Sequence, residues 1–154
     1  MRTLAPTEAA TEALGARLAR ARPAGGELAV LHLEGALGAG KTTLARGFLQ
    51  ALGVAGPVRS PTYTLVEVYA LAGVTAVHAD LYRLRDPQEL ENLGLRDWAQ
   101  PRHLWLIEWP ERGAGYLPEP DLQVSLAVAA AAHAIEVVPA SALGRRWTAR
   151  LEGG

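Results

Sequence analysis

The chain has 154 residues, a net charge of −1 with 20% charged side chains, and no cysteine. That length suits one domain spanning residues 1–154, and the absent thiols exclude a disulfide framework and zinc–cysteine chemistry. The weak net charge speaks against wrapping of nucleic acid, so no DNA partner is expected, and no apolar run of about 18 residues marks a membrane span, which leaves a cytoplasmic protein as the expectation.

Taken in order, Thr7 and Glu8 predict the start of a helix with Leu14 and Leu18 on one face, ended by Pro23-Ala24-Gly25-Gly26. Leu28 to Leu33 reads as a buried strand, and Lys41 to Leu52 as a helix with Leu44, Phe48 and Leu52 at spacing four, stopped by Gly53. Leu65 to Tyr69 alternates like a half-buried strand, and Ala72-Gly73 predicts a hairpin turn into Val74 to Ala79. Asp86-Pro87-Gln88-Glu89 carries the signature of a capping box with proline at the first helical position, predicting a helix that stops near Gly94. Leu104 to Ile107 is a second wholly apolar strand, closed by Pro110. Leu122 to Val128 and Ala134 to Val138 read as a final strand pair around an alanine-rich bend, and Ser141 to Leu151 as a last helix. Helix-linked strands mixed with hairpins predict an α/β fold, a three-layer domain of the P-loop NTPase type with a mixed, mostly parallel sheet flanked by helices.

Between the first apolar strand and its helix lies Gly35-Ala36-Leu37-Gly38-Ala39-Gly40-Lys41-Thr42, which fits the phosphate-loop pattern G-x-x-x-x-G-K-[ST]. Lys41 is the only lysine beside 14 arginines. A compact ammonium suits a place between phosphates better than a planar guanidinium does. Gly35, Leu37, Gly38, Ala39, Gly40, Lys41, Thr42 and Thr43 are therefore the candidate nucleotide-binding residues, with Lys41 neutralising the outer phosphates, the Thr42 hydroxyl a Mg2+ ligand, and Thr43 serving either helix packing or a secondary phosphate contact. A magnesium-nucleotide site also needs an acid at a strand's carboxyl end. Glu108 and Asp80 compete for that role, and each also reads as a solvated strand-end carboxylate. One would hold the metal while the other orients the attacking water. Ser60, Thr62 and Thr64 read either as a switch segment sensing the γ-phosphate or as a proline-containing surface loop. Arg83 reads as a transition-state arginine or a surface residue, and Trp109 as a stacking surface or a core residue. His32, His78, His103 and His133 lack metal-ligand spacing and read as structural.

The N-K-x-D code for guanine needs a lysine, and the sole one is committed to the loop, so a Ras-type GTPase is excluded. A small-molecule kinase would be expected to carry an arginine-rich lid, and none is evident; a non-enzymatic ATP-sensing module is the other alternative. Four ordered blocks resemble the bacterial TsaE (YjeE-like) family: Glu34 to Leu44 with Arg46-Gly47, Val58 to Val66, His78 to Leu84 with Asp86-Pro87 and Glu89 to Glu91, and Leu106 to Glu111. Thr11 to Gly15 resembles it more weakly. The resemblance implies a magnesium-dependent ATPase needed for N6-threonylcarbamoyladenosine in tRNA, acting with the TsaB and TsaD proteins and touching tRNA only indirectly. It implies catalytic roles for Lys41, Asp80 and Glu108, magnesium at Thr42 and Glu108, the Ser60 to Thr64 segment around the γ-phosphate, and Thr11 near the adenine. Ala36 stands where the family loop usually has Asp, and His133 where an arginine is expected on a late strand.

Overall fold

The computed structural model describes residues 1–61 and 63–154. The first long helix, α1 (Glu8–Ala21), begins where the Thr7 hydroxyl accepts the Ala10 N–H at 3.1 Å, and it buries Thr11, Leu14, Gly15, Leu18 and Ala19. Helix α2 (Lys41–Leu52) ends at Gly53, whose φ of 115° only a residue without Cβ adopts freely. Helix α4 (Ala142–Gly153) is capped by Ser141, which accepts the Gly144 N–H at 2.9 Å. The capping box at Asp86 forms, with Asp86 N–H on Glu89 at 3.1 Å and Gln88 N–H on Asp86 at 2.9 Å. The helix itself starts later than the box predicts: α3 (Glu89–Asn92) is a single turn with Gln88 as its N-cap and no side-chain cap bond, broken at Gly94 (φ 65°) and followed by a 3-10 turn over Leu95–Trp98.

Seven strands build one sheet in the order β1-β7-β6-β2-β5-β4-β3. They are β1 (Arg2–Ala5), β2 (Ala29–Glu34), β3 (Val66–Leu71), β4 (Val74–Asp80), β5 (His103–Glu108), β6 (Leu122–Ala129) and β7 (Ala132–Pro139). The four central strands β6, β2, β5 and β4 are mutually parallel, while β3, β7 and β1 each pair antiparallel with their neighbours. The sheet is therefore mixed, with its parallel part at the centre. The hairpin at Ala72-Gly73 forms, and Ala130-Ala131 turn β6 into β7 with φ of 47° and 65°, the signs a tight hairpin turn requires. Strand β1 has no counterpart in the sequence reading. Three of its four residues are exposed, so no alternation marks it, and only pairing with β7 makes it a strand.

Helices α1, α2 and α4 cover one face, where Leu31, Leu33, Phe48, Leu106, Val124 and Trp147 meet in the larger core. A smaller cluster around Val30, Val77, Leu84, Leu90, Trp105 and Ile107 fills the other face under α3 and its neighbours, which completes three layers. Helices α1 and α2 touch through glycines: a Cβ on Gly15 would sit 2.2 Å from the Leu44 carbonyl oxygen, and one on Gly47 2.0 Å from that of Glu12. This crossing fixes α2, and with it the loop that precedes it. Among the described residues no helix is long and apolar enough to cross a membrane.

Candidate functional site

The carboxyl ends of the parallel strands β2, β4 and β5 lie side by side, with Asp80 in register with Glu108 and Leu33 beside Glu108. Alternation along β4 puts His78 and Asp80 on one side of the strand. The loop after β2 therefore opens beside two carboxylates, and a cavity of about 430 Å³ lies between them. Lys41, Thr42, Ser60, Asp80, Glu108 and Trp109 line it. Glu8, Gly40, Thr43 and His133 line it as well.

Backbone torsion shapes the loop. Gly35, Gly38 and Gly40 have φ of 149°, 79° and 103°. A Cβ on Gly35 would lie 2.3 Å from the Leu126 carbonyl oxygen, and one on Gly40 2.7 Å from the His133 ring. Ala39 is buried behind the loop, whereas Leu37 is 72% exposed at its tip. Gly40 caps α2 without a side-chain hydrogen bond, which leaves the first-turn amides to an anion.

Lys41 is buried, and its ammonium donates to the carbonyl of Gly35 and, at 2.8 Å, to that of Ala36. It also lies 4.2 Å from the centre of the Trp109 ring. Burial holds its pKa below the ordinary lysine value, while the carboxylates of Glu108, Asp80 and Glu111 act in the opposite direction. The Thr42 hydroxyl donates to Glu108 Oε1 at 2.8 Å, and Glu108 Oε2 lies 2.7 Å from His78 Nε2. Asp80 accepts from the Ser60 hydroxyl and, at 3.0 Å, from the Tyr82 N–H. The Leu81 N–H reaches the Glu108 carbonyl at 3.0 Å, tying the two strand ends together.

The remaining candidates are spread more widely. Arg83 lines the cavity with its guanidinium 5.4 Å from the Tyr63 ring centre. Trp109 stands at φ 58°, its ring 5.0 Å from that of Tyr82. Thr11 is fully buried and reaches the cavity only through His133, whose Nδ1 is 2.8 Å from its hydroxyl. Thr64 is exposed, bonds Glu67 at 3.5 Å and does not line the cavity. Thr62 lies outside the described residues.

Glu8, Tyr82, His78 and His133 are at the site without being expected there, and the two histidines lack the metal-ligand spacing that would have marked them. His78 carried a usable signal, since it stands two residues before Asp80 and so faces the same way. His133 was marked only by the resemblance, which expects an arginine at that place, and only the β6–β7 hairpin brings it to Gly40.

A hydroxyl and two carboxylates beside a phosphate-sized cradle form a hard oxygen donor set, which fits magnesium. Among the described residues no three His, Asp or Glu side chains converge into a self-sufficient metal cage.

Residues 5–135 match the family described as "Threonylcarbamoyl adenosine biosynthesis protein TsaE". The chain is 51% identical over 116 residues to the tRNA threonylcarbamoyladenosine biosynthesis protein TsaE of Haemophilus influenzae, covering 75% of this chain and 73% of that protein. It is 39% identical over 139 residues to the protein of the same name from Streptomyces coelicolor, covering 87% and 91% of the two chains. A crystal structure of YdiB from Bacillus subtilis superposes with a TM-score of 0.81 at 26% identity, over 99% of this chain and 94% of that one. With its own four sequence blocks gathered around one cavity and relatives matched over most of their length, this chain belongs to the TsaE family.

Proposed function

We propose that this protein is a magnesium-dependent ATPase required for N6-threonylcarbamoyladenosine in tRNA, working in the cytoplasm with TsaB and TsaD. The observation that carries the reading is the bond from the phosphate-loop Thr42 to the strand-end Glu108, with Asp80 on the adjacent strand. The names of the relatives from Haemophilus influenzae and Streptomyces coelicolor support the pathway.

In this mechanism the loop amides and the amino end of α2 cradle the phosphates of ATP. Lys41 leaves its carbonyl partners and neutralises the outer phosphates. Thr42 and Glu108 would hold magnesium, which would supply charge neutralisation at the phosphates. Asp80, held by Ser60 and the Tyr82 amide, orients the water that attacks the γ-phosphorus, giving ADP and inorganic phosphate. Arg83 at the rim adds positive charge to the transition state. TsaD carries the transferase chemistry, and hydrolysis here drives the cycling of the TsaB–TsaD pair.

Phosphate release measured with and without TsaB and TsaD tests this directly. Turnover is expected to rise with the pair present and to vanish with Lys41→Ala. Equal restoration of the modified nucleoside by Lys41→Ala would overturn it. Phosphate transfer to a metabolite would favour a kinase instead, and tight ATP binding without turnover a sensing module.

A further inference from the structure

His78 has no part in the mechanism above, yet its imidazole is wholly buried against the acid on which that mechanism depends. Its Nε2 lies 2.7 Å from Oε2 of Glu108, itself 2% exposed. Its Nδ1 is also buried and has no hydrogen-bond partner among the described residues. For stability alone this is a poor choice of side chain, because an orphaned buried nitrogen loses its hydration and gains nothing in return. An apolar residue of similar volume carries no such cost. What the histidine supplies is therefore its bond to Glu108.

We infer that His78 is a positioning residue, whose Nε2–H ties Oε2 of Glu108 so that Oε1 stays with the Thr42 hydroxyl at the mouth of the phosphate loop. The terminal torsion of a glutamate is broad, so a carboxylate held at one oxygen still turns. Glu108 is held at both, by Thr42 from α2 and by His78 from β4. The two donors come from different elements, and together they fix the carboxylate plane. Partners of this kind orient metal-ligating groups and govern metal affinity. The inference rests on reading Thr42 and Glu108 as the magnesium pair.

The test compares His78→Gln with His78→Met, two side chains of equal reach of which only glutamine keeps a donor at the Nε2 position. Mn2+ titrated into the ADP-loaded protein, followed by electron paramagnetic resonance, reads the metal site without any turnover. For His78→Met the half-saturating Mn2+ concentration should rise roughly 10- to 100-fold, and phosphate release should fall by a similar factor. Metal-free ADP binding should stay within about twofold, since the cradle is untouched. Glutamine should restore the Mn2+ dependence to within about threefold of the original. Unchanged Mn2+ binding in His78→Met, or equal impairment of both variants, would overturn the inference. So would an unsubstituted ADP complex that binds no Mn2+, which would also remove the magnesium assignment. If the unsubstituted protein binds Mn2+ but releases no phosphate, the ATPase reading fails while the titration still decides the role of His78.

Discussion

Glu108 and Lys41 show how single residues divide the work at the cavity. Glu108 meets the Thr42 hydroxyl, and in the proposed mechanism its charge matters most when charge moves on the phosphates. Glu108→Ala should therefore cut magnesium-dependent phosphate release by roughly 100-fold, a loss of about 3 kcal/mol in transition-state stabilisation, and leave metal-free ADP binding within about threefold. Equal losses in kinetics and calorimetry would contradict it. Lys41 makes a separate prediction about pH. Burial lowers its pKa from 10.5, so the unfolded chain keeps the proton to higher pH than the fold does. The unfolded state then binds more protons in the window below 10.5, and stability rises with pH there. Relative to Lys41→Met, the unsubstituted protein should gain stability as the pH rises toward 10.5, read as the difference in urea midpoints. At this scale the lone lysine made its site legible, whereas the contact between His78 and Glu108 needed two strands in register.

At the scale of elements, close backbone approach decides where the phosphate loop stands. Alanine at Gly47 would favour the helix by about 1 kcal/mol, but its Cβ would lie 2.0 Å from the Glu12 carbonyl oxygen, and no rotamer relieves a clash with backbone. The clash wins. Gly47→Ala should destabilise the protein by at least ~1 kcal/mol, lowering Tm by several degrees in a thermal melt. Gly35→Ala meets both a carbonyl at 2.3 Å and a φ of 149°, and should cost about 1–3 kcal/mol together with nucleotide affinity. The cap at Thr7 and the stop at Gly53 were legible because each is local and acts where the sequence places it. The short α3 was less so. Its capping-box bonds hold a turn at Asp86, but the helix begins only at Glu89 and runs for one turn before Gly94 redirects the chain.

Across the whole molecule, the cavity draws on α1, the loop and first turn of α2, β4, β5 and the β6–β7 hairpin, so a ligand there would hold elements from both ends of the chain. ADP at about 100 times its Kd should then raise stability by about 2.7 kcal/mol, or roughly 5–10 °C in Tm for a chain of this size, in a single cooperative transition. Lys41→Ala should abolish the shift, and a melt that ADP leaves unchanged would count against a nucleotide site.

The sequence by itself determined the phosphate-loop pattern, both apolar parallel strands and the acids that end β4 and β5, because spacing and local backbone chemistry write these directly into the chain. Tertiary structure decided what those residues touch. Thr42 meets Glu108 across 66 positions, and Thr11 meets His133 across 122. Strand order and register set such contacts, and they also make a strand of β1, whose four residues carry no pattern of their own. A side chain's neighbours within an element follow from its period, but its neighbours on other elements follow only from how the sheet is ordered and how closely its helices pack.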